Sequence, residues 1–276
     1  MFKRLFSGNI QIPTLRLSGI ISAQSGITGS GLAINNLEKL IEKLFSDKKS
    51  PAVALIINSP GGSPTQSSLI AKKIIELSKE KKKKVLAFVE DVAASGGYWL
   101  ACAADEIYID QNSVIGSIGV ISPGFGFVEL IKKIGIERRV YSQGKNKGLL
   151  DPFLPEKKDD VKQILTIQKD LHSQFIAWVK KRRGKRLKAN DEVLFNAGVW
   201  SGSKAKELGL IDGIGDYYNV MKNIFGDDIK FKDFSKKTSW FKQKFLSNGS
   251  ALNSDYLIES LIKNIEERII WSKYGL

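Results

Sequence analysis

Histidine and cysteine are almost absent from this chain. One cysteine, Cys102, rules out an intramolecular disulfide and any multi-cysteine zinc site. One histidine, His172, rules out every mechanism that needs two imidazoles, including a His-rich metal centre. Long apolar runs are scarce too. The buried-type run Ala52–Ile57 is six residues long, against roughly 20 needed to span a bilayer. The opening residues, MFKRLFSGNIQIP, carry basic charge but lack the apolar core of about 7–15 residues that marks a secretory signal. The expectation is a cytoplasmic chain with no transmembrane helix and no signal peptide, peripheral to the inner membrane if it meets lipid at all. No metal and no organic cofactor is implied.

What is present is ordinary in amount and unusual in charge. At 276 residues the chain suits one or two domains, and 42% hydrophobic with 26% charged residues is the balance of a folded globular protein. The net charge is +14, carried mainly by lysine in runs such as Lys81–Lys84. Such an excess favours contact with membrane phosphates, nucleic acid or acidic partners without selecting among them. The lysine runs have few regularly interleaved aromatics, and an RNA signature of the Lys/Arg-Gly-Phe type is missing, so nucleic acid is not expected as a partner.

Apolar spacing organises the chain. Leu37, Leu40, Ile41, Leu44 and Phe45 recur at helical spacing within residues 36–46. VALIINS then reads as a buried strand, Gly61-Gly62 breaks it, and Ser63-Pro64 opens a second helix. VLAFVED, EIYID and IGSIGVIS read as further strands, with a short helix over SGGYWLACAA, a helix near Val128–Ile134 and a strand at Arg139–Ser142. This alternation predicts an α/β architecture with mainly parallel strands. Residues 159–183 form a long helical pattern ending in KKRRGKR, followed by the Gly-punctuated stretch NAGVWSGSKAKELGLIDGIGD. The domain expected is 1–226, with 227–276 as a basic, amphipathic C-terminal extension. In that extension Lys230, Lys232, Lys236, Lys237, Lys242 and Lys244 interleave with Phe231, Phe234, Trp240, Phe241 and Phe245, a composition suited to a lipid headgroup surface. Leu257, Ile258, Leu261, Ile262, Ile265 and Ile269 then form a helical stripe.

Three segments depart from what packing alone would choose. Asn58-Ser59-Pro60-Gly61-Gly62 ends a buried strand with paired glycines, which let backbone N–H groups face outward as an oxyanion hole requires; a plain strand-to-helix turn also uses them. Ala94-Ser95-Gly96-Gly97 sets a serine among small residues where a strand meets a helix, a position that suits a nucleophile and equally an N-cap. Gly144-Lys145-Asn146-Lys147-Gly148 is a lysine-bearing loop, readable as solvated charge or as the source of a base. A serine nucleophile needs a base. His172 lies within the long helical pattern, beside Leu171 and Phe175. A neutral lysine can replace an imidazole, provided that its surroundings lower the pKa from ~10.4 to ~7–8, at a cost of about 3–5 kcal/mol.

NSPGG, ASGGYW, GSIGV, the G-x-x-K loop and VWSGSKAKELGLIDGIG, in this order, resemble the signal peptide peptidase A family with its SohB-like members, over roughly residues 13–220. The resemblance implies a crotonase-like fold of the Clp-protease type, a superhelix of ββα units. It implies a serine endopeptidase acting on peptides or unfolded proteins. Carried onto this chain, Ser95 is the nucleophile and Lys147 the general base, with Lys145 two positions away as a competitor. Ser117 supports the lysine, and Gly61 or Gly62 with Gly96 form the oxyanion hole. Gly148 stands where the family usually has an acidic residue after the lysine. The resemblance also implies a homo-oligomer, an octameric ring. Two other functions fit parts of the pattern: a non-catalytic adaptor at a membrane surface or nucleic acid, and an acyl-CoA crotonase.

Overall fold

The computed structural model describes residues 10–23, 31–144, 146–235 and 268–275. They form two compact units, Met1–Ile118 with Trp178–Leu276, and Gly119–Ala177. The first holds a mixed eight-stranded sheet of order β6-β5-β3-β2-β1-β8, with β4 pairing to β3 and β7 to β4. In chain order its elements are β1 (Gln11–Ser18), α1 (Ile34–Ser46), β2 (Ala52–Ser59), α2 (Pro64–Lys81), β3 (Lys84–Ala94), α3 (Gly96–Ala101), β4 (Glu106–Ile109) and β5 (Val114–Gly116). After the second unit come α6 (Asp191–Leu194), β6 (Val199–Ser201), α7 (Gly202–Glu207), β7 (Gly213–Ile214), α8 (Tyr217–Phe225) and β8 (Lys230–Asp233). Every pairing is parallel except β5 with β6.

The apolar runs Ala52–Ile57 of β2 and Val85–Val89 of β3 are buried because both faces of the sheet are covered there. Ala52, Ala54 and Ile56 pack with Leu86, Phe88 and the α8 residues Tyr217 and Met221. Val53, Leu55 and Ile57 point the other way and are also fully buried, as are Ile41 of α1 and Ile70 and Ile74 of α2. The α2 start matches its sequence signature: the Ser63 hydroxyl accepts from the Gln66 N–H at 3.3 Å and Pro64 occupies the first turn.

Two expected strands differ in the structure. IGSIGVIS contributes only Ile115 and Gly116, the end of β5, because Gly116 (φ 110°) and Ser117 (φ 50°) turn the chain out of the sheet. Residues Arg139–Ser142 form no strand. They are exposed and pair with no strand among the described residues, so their β-favouring side chains have nothing to pack against. Residues 230–233 pair in parallel with Gln11–Thr14 as the sheet's edge, and Phe231 packs on Tyr217 at 4.5 Å. The rest of the lysine-aromatic stretch, from Lys236 through Phe245, and the stripe from Leu257 to Ile265 lie outside the described residues.

The second unit contains α4 (Val128–Lys133) and most of α5 (Lys158–Arg183), whose last turns belong to the first unit. Within it Phe127 stacks on Phe153 at 5.5 Å and Arg138 pairs with Asp151 at 3.0 Å.

Part of the basic run that ends α5 is internal. Arg183 is buried, donates to Asp212 at 2.7 Å and to the Gly209 carbonyl at 2.9 and 3.0 Å. Burial pushes the Asp212 carboxyl up, but the Arg183 hydrogen bond and charge, the Ile107 N–H and Arg186 outweigh it and hold it below the usual carboxylate value. Asp212→Ala strands a buried guanidinium and is expected to cost about 3–5 kcal/mol in urea denaturation at neutral pH. Because the folded carboxyl lies below its unfolded value of ~3.9, this contribution is fully present above that pH. It is lost as pH falls through the lower folded value, so the wild-type and Asp212→Ala denaturation midpoints should converge in acid.

Candidate active site

Ser95 joins β3 to α3 with φ 51° and ψ −122°, a conformation that non-glycine residues rarely adopt. Its own N–H is held by the Gly116 carbonyl at 2.8 Å, and its side chain makes no cap to the helix. The hydroxyl therefore sits half-buried on a strained turn instead of serving as an N-cap, which separates the two readings that the sequence left open.

Three predicted glycines stand around it. A Cβ on Gly61 (φ 108°) would lie 2.7 Å from the Ser95 Cβ and 2.9 Å from the Gly96 nitrogen. One on Gly62 (φ 138°) would meet the Ile21 carbonyl oxygen at 2.1 Å, and one on Gly96 would meet the Ser67 Oγ at 2.5 Å. The two turns thus touch backbone to backbone, and only glycine fits there. The Gly61 N–H is donated to the Ser59 Oγ at 3.2 Å, while its carbonyl accepts from Ile21 at 2.8 Å. Among the described residues, the N–H groups of Gly62 and Gly96 have no hydrogen-bond partner. They can donate to a bound group.

Ser117 joins this group through sheet register. Ala94 pairs with Gly116, so Ser95 and Ser117 each follow directly after paired residues at the same end of adjacent parallel strands. Both have left-handed φ, and the Ser117 N–H is held by the Gly198 carbonyl at 2.7 Å.

Lys147 belongs to the second unit, exposed in a turn where its N–H bonds to the Gly144 carbonyl at 3.1 Å. Its loop is pinned further along, where the Leu150 N–H donates to Asp160 at 3.3 Å. The Phe153 N–H and then Arg138 hold the Asp151 carboxyl below its usual range. Lys145 lies outside the described residues. His172 is half-buried on α5, also in the second unit.

The sole cysteine offers no rival nucleophile. Burial pushes the Cys102 thiol up to about 11, the opposite of activation. Among the described residues no helix is long and apolar enough to cross a membrane, and no cluster of His, Cys, Asp and Glu is arranged to hold a metal. Two serines without a role of their own in the sequence motifs also shape the site. Ser59 links Gly61 to the Gly19 carbonyl, and Ser67 packs against Gly96. Serine in a strand or helix carries no sequence signal for either contact.

Comparison with known proteins shows the family. Residues 77–225 match Peptidase family S49. A putative protease of Methanocaldococcus jannaschii is 33% identical over 67% of this chain and 58% of its own length. The chloroplastic serine protease SPPA of Arabidopsis thaliana is 35% identical over 76% of this chain and 31% of its own. A Brucella melitensis protein named as a Na(+)/H(+) antiporter NhaA is 44% identical over 99% of this chain, which covers 38% of that protein. The chain thus spans between about a third and three fifths of the length of these relatives. Among solved structures, the 1510-N membrane-bound stomatin-specific protease shares the fold at 15% identity. Its lysine-to-alanine variant, in complex with a substrate peptide, superposes with a TM-score of 0.50, covering 88% of this chain and 98% of that one. The match across residues 77–225, more than half of the chain, places it in Peptidase family S49.

Proposed function

We propose that this chain is a serine endopeptidase that hydrolyses peptide bonds in peptides or unfolded proteins through Ser95 and Lys147. The observation that carries this reading is Ser95 on its strained turn, with the free N–H groups of Gly62 and Gly96 beside it. The protease names of its relatives support the same chemistry. So does the study of the stomatin-specific protease as a lysine-to-alanine and a serine-to-alanine variant. The finer fold assignment, a crotonase-like superhelix of the Clp-protease type, belongs to this proposal. So does the division into a peptidase domain at 1–226 and an extension at 227–276.

In the proposed reaction, neutral Lys147 accepts the Ser95 proton as Oγ attacks the substrate carbonyl carbon. The negative charge on the carbonyl oxygen is held by the Gly62 and Gly96 N–H groups, with Gly61 keeping the turn close. The resulting lysine ammonium returns a proton to the leaving amine as the C–N bond breaks. Water, deprotonated by the same lysine, then attacks the acyl ester, and Ser95 leaves with its proton restored. Ser117 holds the lysine amine by hydrogen bond.

Assembly belongs to the same reading. The second unit exposes Ile121, Phe125 and Tyr141 (74%, 78% and 93%), and apolar groups of this size at a surface favour association. We take the assembly to be a homo-oligomeric ring, an octamer, in the cytoplasm, with peripheral contact to the inner membrane drawn by the +14 charge.

Ser95→Ala and Lys147→Ala should each remove nearly all hydrolysis of casein or of signal-peptide-like peptides. Lys145→Ala should keep most of it and His172→Ala should stay within a few fold. Loss of activity in folded His172→Ala would overturn the Ser-Lys assignment. Gly62→Ala forces a methyl into the Ile21 carbonyl, and turnover should fall by roughly 10²-fold or more, the order seen when an oxyanion donor is lost. Mixing Ser95→Ala with Lys147→Ala subunits should restore some activity if the base reaches the nucleophile of a neighbouring copy. A monomer by light scattering that still turns over would remove the ring from the proposal.

A further inference from the structure

Helix α3 has six residues, all buried, and follows directly from Ser95. A helix of this length has little stability of its own, so its axis is set by whatever holds its far end. That end is held by two side chains of α5. The Trp178 Nε1–H donates to the Trp99 carbonyl at 3.1 Å, and the Trp178 indole stacks on Trp99 with 5.7 Å between centroids at 14°. Arg182 donates from Nε to the Cys102 carbonyl at 2.7 Å, and from one terminal nitrogen to the Ala103 and Ala104 carbonyls at 3.1 and 3.0 Å. Trp178 and Arg182 are four residues apart, so they share one face of α5. Arg182 places its charge where the last carbonyls of α3 point outward. One turn further on, Arg186 donates to the Asp105 carbonyl at 2.9 Å. Part of the KKRRGKR run, which reads in sequence as surface charge, is therefore spent on the backbone of the nucleophile helix.

We infer that Trp178 and Arg182 are positioning residues for the nucleophile: together they clamp α3 so that Ser95 Oγ is aimed beside the Gly62 and Gly96 N–H groups. This rests on Ser95 being the nucleophile. Neither side chain is bonded to Ser95. They act through the six residues of α3, and the strained φ of Ser95 persists only while the elements on both sides of it stay fixed. A shift of about 1 Å in a reacting group can cost about 10²-fold in rate, so a loosened helix should show as slower acylation.

The test is the rate of Ser95 labelling by a fluorophosphonate, read together with kcat and KM on a peptide substrate and with amide hydrogen exchange. Arg182→Met keeps the stem and removes all three donated bonds. Labelling and kcat should fall by about 10- to 100-fold with KM within twofold. Exchange at 96–102 should quicken while β2 and β3 keep their protection. Arg182→Lys should recover part of the rate, and Trp178→Phe, which removes a single donor, should lose several fold. Lys180→Ala, which breaks the exposed pair with Asp191, should behave as wild type.

A folded Arg182→Met protein that labels within twofold of wild type overturns the clamp. If Arg182→Met fails to fold, Arg182→Lys and Trp178→Phe at wild-type rates overturn it instead. Failure of the nucleophile assignment looks different: wild type itself is then labelled no more than Ser95→Ala. In that case the exchange at 96–102 still decides whether these side chains hold the helix, and unchanged exchange in the variants overturns that as well.

Discussion

The contact of the Gly61-Gly62 turn with the Ala94–Gly96 turn, backbone against backbone, is the constraint from which the site follows. No side chain fits between them: Gly61 and Gly62 take φ 108° and 138°, open to glycine, while Ser95 at 51° is strained. The strain at Ser95 is tolerable because both turns are the ends of central strands, β2 and β3, which pair in parallel with a register shift between Ile57 and Ser59 and are buried on both faces. A peptide backbone so confined keeps two N–H groups unpaired. Such N–H groups suit a centre that must favour a transient oxyanion over the resting state.

The sheet does more than carry Ser95. β3 pairs with β4 along Leu86–Val89 and with β5 along Val92–Ala94, so one strand changes partner part-way along its length. That change brings β5 beside the last residues of β3 and sets Ser117 next to Ser95 in register, although 22 residues separate them in sequence. The Ser95 N–H bonded to the Gly116 carbonyl and the Ser117 N–H bonded to the Gly198 carbonyl tie both serine turns to the backbone beyond.

Charge is divided between surface and interior. Lysine supplies most of the excess, and Lys73, Lys81, Lys84 and Lys204 pair with acidic neighbours at partly or fully exposed positions. Such pairs are worth little to stability. The arginines at the end of α5 differ because a planar guanidinium can satisfy several carbonyls at once. Arg182 meets three carbonyls, and Arg183 meets one carbonyl and Asp212. Through them the end of α5 is joined to α3 and to the loop before β7.

Much of this was legible in residue order. Uninterrupted apolar runs gave β2 and β3, helical spacing gave α1, α2 and α5, and Ser63-Pro64 marked the start of α2, because these signals are local. The Ser95 turn and its glycines were legible for the same reason: small residues where a strand ends leave a chemical mark in the sequence itself. Tertiary structure alone decided between an N-cap and a strained serine at Ser95, since the local sequence permits both and only the packing of Gly61 selects one. It alone ended β5 at Gly116, left Arg139–Ser142 without a ladder, and turned Arg182 and Arg183 from apparent surface charge into internal ties. Those outcomes depend on which backbone groups come to lie opposite one another across 80 or so residues, and composition or periodicity does not encode such distant encounters.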